Sequence, residues 1–109
     1  MIIKLSPQRR DDTLEVIKAG NTLTVNGELF DFSRMVDGDT LPFSAVTSQW
    51  FIGNFDMVGD ELTLTLVLPN PANYSPEQAF PIDLVSVPDG LVALPQPLPS
   101  QNINEVSQA

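Results

Sequence analysis

Short runs of alternating apolar and polar residues, broken by glycine-containing turns, constrain this chain more than any other feature of its sequence. A period of two is typical of strands with one face on a core, and no segment carries a convincing helical stripe. Ten prolines among 109 residues would also interrupt helices almost everywhere. The sequence therefore predicts an all-β fold, either a small antiparallel sandwich or a partly open barrel, built from hairpins.

The clearest hairpin signal is TLTVNGELFDF, residues 22–32. Asn26 and Gly27 supply the two positive-φ positions that a type I′ turn requires. This turn sets Val25 opposite Glu28 and gathers the apolar side chains on one face. That face comprises Leu23, Val25, Phe30 and Phe32, with Leu23 opposite Phe30.

A second hairpin is predicted over residues 50–68, with a two-residue Gly-Asp turn at 59–60. The turn sets Met57 opposite Leu62, so that both arms place their apolar residues on the same side. Continued along the arms, the same register pairs Phe55 with Leu64, Gly53 with Leu66 and Phe51 with Leu68.

A third hairpin is predicted over residues 82–94, with Asp89 and Gly90 as its turn. It sets Val87 opposite Val92, and it sets Val85 opposite Leu94. Shorter strands are expected at 2–5 and 14–18. Loops are expected at 36–48, with a helical turn near 44–47, and over the proline-rich stretch 69–81.

The chain is long enough for one ordinary domain, which we place at residues 1–95. From there the alternation is lost and the sequence becomes polar and rich in proline. Such a composition favours a flexible tail, or one that a partner orders, over residues 96–109.

The chain contains neither histidine nor cysteine. The commonest general base, the thiol nucleophile and thiolate metal sites are therefore missing. Asp37 and Asp39 offer oxygen ligands of the kind that calcium takes, but the remaining ligands of a calcium loop are lacking, and aspartates beside glycine favour turns. We expect no enzyme activity, no cofactor and no metal.

Fourteen acidic residues against five basic ones give a net charge of −9. Such a surface repels nucleic acid and anionic lipid, so we expect neither as a partner. The amino terminus lacks the apolar stretch of a secretory signal, and the longest apolar run, residues 62–68, is only strand-sized. We expect the protein in the cytoplasm in which it is made.

Four residues are candidates for contact with another protein. Trp50 and Tyr74 are aromatic anchors, of which Tyr74, in a proline-rich loop, is the better placed. For Trp50, a place in the core or at its rim is the favoured alternative. Arg9 and Arg10 either pair with the aspartates that follow them or reach an interface, where arginine is enriched.

Four stretches cover nearly all of the chain except its tail: LSPQRRDDTLEVIKAGNTLTVNGELFDFS, DGDTLP at 37–42, QWFIGNFDMVGDELTLTLVLP and FPIDLVSVPDGLVALP. With them the chain resembles a group of small proteins encoded by bacteriophages and prophages, often near tail-fibre genes. The resemblance implies a connection with a tail, baseplate or tail fibre. It brings no catalytic motif and therefore no active-site residues.

Taken together, these features predict a non-catalytic, tail- or baseplate-associated structural or adaptor protein that binds other tail or tail-fibre proteins. It would be made in the host cytoplasm and carried on the virion tail. Three alternatives stay open: a transient tail-fibre assembly helper, an acidic inhibitor of a host nucleic-acid-binding protein, and self-association as a homo-oligomer.

Overall fold

The computed structural model describes residues 1–99 as two four-stranded sheets packed face to face. The strands are β1 (Ile2–Arg9), β2 (Val16–Ala19), β3 (Thr22–Val25), β4 (Glu28–Asp31), β5 (Thr40–Leu41), β6 (Phe51–Val58), β7 (Glu61–Asn70) and β8 (Gly90–Leu91). Sheet I has the spatial order β1-β7-β6-β5, and sheet II has the order β4-β3-β2-β8. The predicted all-β fold is confirmed, in its sandwich form.

The first hairpin is confirmed residue by residue. Val25 pairs with Glu28 and Leu23 pairs with Phe30. Asn26 and Gly27 both have positive φ, at 48° and 85°. The type I′ turn therefore sets the register of β3 and β4, and it places the predicted apolar face on the core.

The second hairpin is correct near its turn and wrong at its far end. Met57 pairs with Leu62 as predicted, but Phe51 pairs with Leu66 instead of Leu68. The register shifts between Ile52 and Asp56, where three residues of β6 lie opposite one of β7. Gly53 lies in this bulge with a left-handed φ of 72°, which glycine adopts without strain. Because two extra residues preserve the alternation, Phe51, Phe55 and Met57 all still face the core.

The third predicted hairpin is wrong. Leu84 forms an isolated bridge with Ile3 of β1, whereas Gly90 and Leu91 pair with β2. The segment 84–91 therefore joins an edge of sheet I to an edge of sheet II and does not fold back on itself. Both edges present free backbone N–H and C=O groups, whereas Pro88 cannot donate a hydrogen bond to a hairpin ladder. Pairing with the two existing edges therefore satisfies more of the segment's backbone hydrogen-bonding groups.

Strand β1 is longer than predicted and pairs in parallel with β7, placing Ile3 beside Leu64. The hydrogen bonds with Leu84 show that the N–H and C=O of Ile3 point away from β7. Backbone groups alternate in direction along a strand, so those of Leu5 and position 7 also point towards the free edge. Pro7 thus occupies a position at which a missing N–H breaks no sheet hydrogen bond.

The core lies between the sheets and is aromatic at its centre. Phe55 stacks on Phe32, with ring centroids 4.9 Å apart, and meets Phe51 edge-on at 5.1 Å. Phe30 meets Phe51 edge-on at 4.9 Å. Aliphatic residues of every long strand surround them; the fully buried ones include Ile3, Val16, Leu23, Val25, Leu62, Leu64 and Leu66.

Two short helical elements connect the strands. A 3₁₀ turn at Phe43–Ala45 corresponds to the helical turn expected near 44–47. The predicted loop 69–81 also contains the end of β7 and a one-turn helix, α1 (Pro76–Ala79). Ser75 and Gln78 cap α1 reciprocally as a capping box. The Ser-Pro-Glu-Gln sequence is a recognised helix-start signal. It was not used in the prediction, because the many prolines of this stretch favoured a loop.

Residues 96–99 follow an irregular path, on which the amide of Leu98 donates to the carbonyl of Asn73 at 2.9 Å. The remainder of the predicted tail, residues 100–109, lies outside the described residues. Within residues 1–99, no helix is long and apolar enough to cross a membrane.

Candidate protein-binding surface

The outward faces of the two sheets differ in chemistry. On sheet I the outward positions include Lys4, Thr63 and Thr65, as expected where one face of a sheet meets water. Its exposed apolar side chains, Ile52 and Val58, lie at opposite ends of β6. The outer face of sheet I therefore offers no continuous apolar contact surface.

Sheet II, by contrast, carries a line of outward side chains across its four strands, and three of these four side chains are apolar. Leu29 of β4 pairs with Thr24 of β3, Thr24 pairs with Ile17 of β2, and Ile17 pairs with Leu91 of β8. We call these four residues the apolar row. Leu29, Ile17 and Leu91 are 65%, 41% and 70% exposed. Directly paired positions share one face of a sheet, so the row is a continuous surface.

The backbone ladder and one ion pair fix the row in place. Asp89, just before β8, accepts hydrogen bonds from the Lys18 ammonium at 2.8 Å and from the Gly20 amide at 3.1 Å. The hydrogen bond from Lys18 and that from Gly20 lower the pKa of Asp89, which keeps its carboxylate charged. This contact attaches β8, and with it Leu91, to the turn between β2 and β3.

Carboxylates border the apolar row. Strand alternation puts Glu15 on the outward face two residues before Ile17, and Asp31 two residues after Leu29. Both are exposed. Hydrogen bonds from Ser33, together with the nearby Arg34, lower the pKa of Asp31. The outer face of sheet II is thus apolar at its centre and acidic at its borders.

Among the four residues predicted to contact a partner, Arg10 and Trp50 form one pair. The guanidinium of Arg10 lies 4.5 Å from the centroid of the Trp50 ring and bonds to Asp12 through Nε at 2.9 Å. Trp50 is only 8% exposed and belongs to the core cluster. The tryptophan thus takes the core position that was its favoured alternative, and Arg10 covers its ring.

Arg9 and Tyr74 come together elsewhere, on the walls of a cleft of about 240 Å³ between the end of β1 and α1. Arg9 donates a hydrogen bond to Asp11 at 2.7 Å, which is the pairing that the sequence offered as one alternative. Tyr74 is 47% exposed. Buried Asn70 also lines the cleft; its Nδ2 donates to Gln78, while its Oδ1 has no partner among the described residues. The cleft is accessible, but irregular chain forms one side of it.

The two aspartates considered for calcium serve turns instead. Asp37 accepts the Gly59 amide at 2.8 Å, and Asp39 accepts the Val36 amide at 2.9 Å. No cluster of three or more acidic residues with metal-binding geometry occurs within residues 1–99.

The apolar row was not among the residues singled out by sequence. Alternation already placed Leu29 and Ile17 opposite the core faces of their strands, so these two were detectable. Leu91 was not, because the predicted third hairpin paired its segment locally and gave no reason to place it beside β2. A row across four strands requires that long-range pairing.

Comparisons of the chain with protein-family models, with curated proteins and with solved structures found no match.

Proposed function

We propose that this chain is a non-catalytic, tail- or baseplate-associated structural or adaptor protein of a bacteriophage, which acts by binding other tail proteins. The apolar row carries the binding part of the proposal. Soluble sandwiches normally present polar residues at such positions, and exposed apolar side chains grouped on one face of a sheet are typical of an interaction site.

Three further observations support this choice. The row lies on hydrogen-bonded strands, which hold side chains more rigidly than loops do. Phe80 and Ile82 are more exposed, but they flank Pro81 in irregular chain. The lack of imidazole and thiol groups favours binding over catalysis. The phage-tail setting rests on the resemblance of the four sequence stretches.

The proposal is tested with particles of the phage or prophage that encodes the chain, purified on a density gradient and probed with an antibody. We expect the chain to copurify with particles. We expect the double variant Ile17→Thr, Leu91→Thr to be depleted about tenfold, because threonine suits a strand but removes the apolar contact.

Val58→Thr is the control, because Val58 is as exposed as Leu91 but lies on sheet I. It should copurify as the unmodified chain does. A chain abundant in infected cells and absent from particles would contradict the structural role and favour the assembly-helper alternative.

A further inference from the structure

We infer that the apolar row docks a partner-protein segment that has an apolar centre flanked by Lys or Arg side chains. The inference rests on the proposed protein-binding function and adds the chemical character of the partner. It comes from the charges that surround the row.

Acidic side chains outnumber basic ones around this surface. Among the residues of the four strands of sheet II, Lys18 is the single cation. Its side chain is only 11% exposed and its ammonium is bonded to Asp89. Arg34, in the loop after β4, is close enough to Asp31 to help lower the pKa of that carboxyl. The outward-facing carboxylates beside the row are those of Glu15 and Asp31, since Glu28 pairs with core-facing Val25 and the Asp89 carboxylate is bonded to Lys18.

This charge pattern selects among occupants. Two copies of the chain facing each other through the row would bring these carboxylates together, with a net charge of −9 on each copy. Like charges across an interface suppress association, whereas opposite charges speed encounter and fix orientation. A segment with basic flanks satisfies both the apolar centre and the acidic border.

The dimensions of the row fit a short amphipathic element. Three gaps between neighbouring strands, each about 4.8 Å, separate Leu29 from Leu91 by about 14 Å. An α-helix covers that distance in roughly ten residues, which is three turns. Three apolar side chains on one helix face would span the row.

The test uses the full chain and a synthetic, fluorescein-labelled amphipathic helix of about 14 residues, made of leucine on one face and lysine on the other. A second peptide replaces each lysine with glutamate. Fluorescence anisotropy should give a Kd at least about tenfold tighter for the lysine peptide.

The variants locate the binding. Ile17→Thr with Leu91→Thr should weaken binding of the lysine peptide about tenfold. Glu15→Gln with Asp31→Asn should weaken it about threefold and reduce its salt dependence. Val58→Thr should leave the Kd unchanged. Equal binding by the chain and the Ile17/Leu91 variant would overturn the inference, since attraction would then come from net charge alone.

Two measurements on the unmodified chain keep the test decisive if a variant fails to fold. Amide NMR shifts on peptide addition should concentrate at residues 17, 24, 29 and 91; shifts concentrated elsewhere would overturn the inference. Sedimentation equilibrium should show a monomer; a dimer that the lysine peptide dissociates would assign the row to a second copy and overturn the inference too.

The two proposals fail separately. Absence from phage particles, with the row still selecting the lysine peptide, would remove the tail assignment alone. Loss of particle association in the Ile17/Leu91 variant, with no preference between the peptides, would remove the basic partner alone.

Discussion

Asn26 combines an unusual backbone conformation with three hydrogen bonds to a neighbouring segment. Its amide donates to the Glu15 carbonyl at 2.8 Å, its Oδ1 accepts the Glu15 amide at 2.7 Å, and its Nδ2 donates to the Thr13 carbonyl at 3.0 Å. The residue therefore sets the β3–β4 turn and also holds Glu15 at the border of the apolar row. Asparagine suits this position because it tolerates positive φ and its short amide bonds locally.

Substitutions at position 26 separate these two roles. Asn26→Gly keeps the turn conformation and loses the side-chain bonds, for a cost of about 1 kcal/mol. Asn26→Ala loses the bonds and also strains the backbone, for about 1 kcal/mol more. Urea unfolding should rank the chain above the glycine variant and the glycine variant above the alanine variant. Equal stability of the two variants would show that the left-handed conformation contributes nothing.

Strand β8 is only two residues long, so contacts outside its ladder have to hold it. Asp89 provides them through Lys18 and Gly20. An exposed ion pair of this kind is weak alone. Here it accompanies the burial of Val92, the next residue after β8, whose amide donates to the Val16 carbonyl at 2.8 Å.

The pH dependence of stability tests this attachment. The pKa of folded Asp89 lies below its ordinary value of 3.8 because Lys18 and Gly20 bond to its carboxylate. A lowered folded pKa gives stability that is present above the unfolded pKa and lost as pH falls through the folded pKa. The chain should exceed Asp89→Asn in urea midpoint at neutral pH, and the two should converge as pH falls below 3.8.

Lys18→Gln supplies the control for this experiment. In a chain that carries Lys18→Gln, Asp89→Asn should lower the urea midpoint less, because the Lys18 hydrogen bond, the largest cause of the lowered pKa, is gone. A difference between the chain and Asp89→Asn that stays constant down to strongly acidic pH would contradict the role of the carboxylate.

At the scale of elements, the sequence predicts the strand pairings whose register is set by a turn between adjacent strands. The β3–β4 hairpin and the near end of β6–β7 follow from their turns, because two-residue turns fix register locally. The β6 bulge was not predicted, because a single glycine in an otherwise regular strand does not show how many extra residues the strand contains. The parallel β1–β7 pairing and the attachment of β8 to β2 join distant segments, which local patterns do not specify.

The residues of the candidate surface also differ in how far the sequence could predict them. Arg9, Arg10, Trp50 and Tyr74 were singled out by residue type; in the structure Arg10 covers the buried Trp50, whereas Arg9 and Tyr74 line an open cleft. Residue type alone does not give burial. The apolar row joins residues of ordinary type, and only the order of the strands makes them neighbours.

Residues 1–99 share one core, to which both sheets contribute. Phe55 of sheet I contacts Phe32, which follows β4, as well as Phe51 of its own strand. Removing a ring that both layers share should therefore destabilise the whole sandwich and not one sheet.

Phe55→Ala should lower the free energy of unfolding by about 3–5 kcal/mol, a large part of the total for a domain of this size. Val58→Ala, at an exposed position, should change it by less than about 0.5 kcal/mol. Guanidinium unfolding would be followed by the fluorescence of the single tryptophan and by circular dichroism. The two curves should coincide; separate transitions would contradict a shared core.

The strap formed by residues 84–91 has a consequence for the timing of maturation. Ribosomes make the amino end first, so both hairpins exist as sequence well before Leu84 reaches Ile3 and Leu91 reaches Ile17. Until then sheet II lacks its fourth strand and Leu29 and Ile17 lack their third apolar neighbour. If the row docks a partner as we propose, a nascent or prematurely stopped chain would lack the complete surface, and only the finished sandwich would bind.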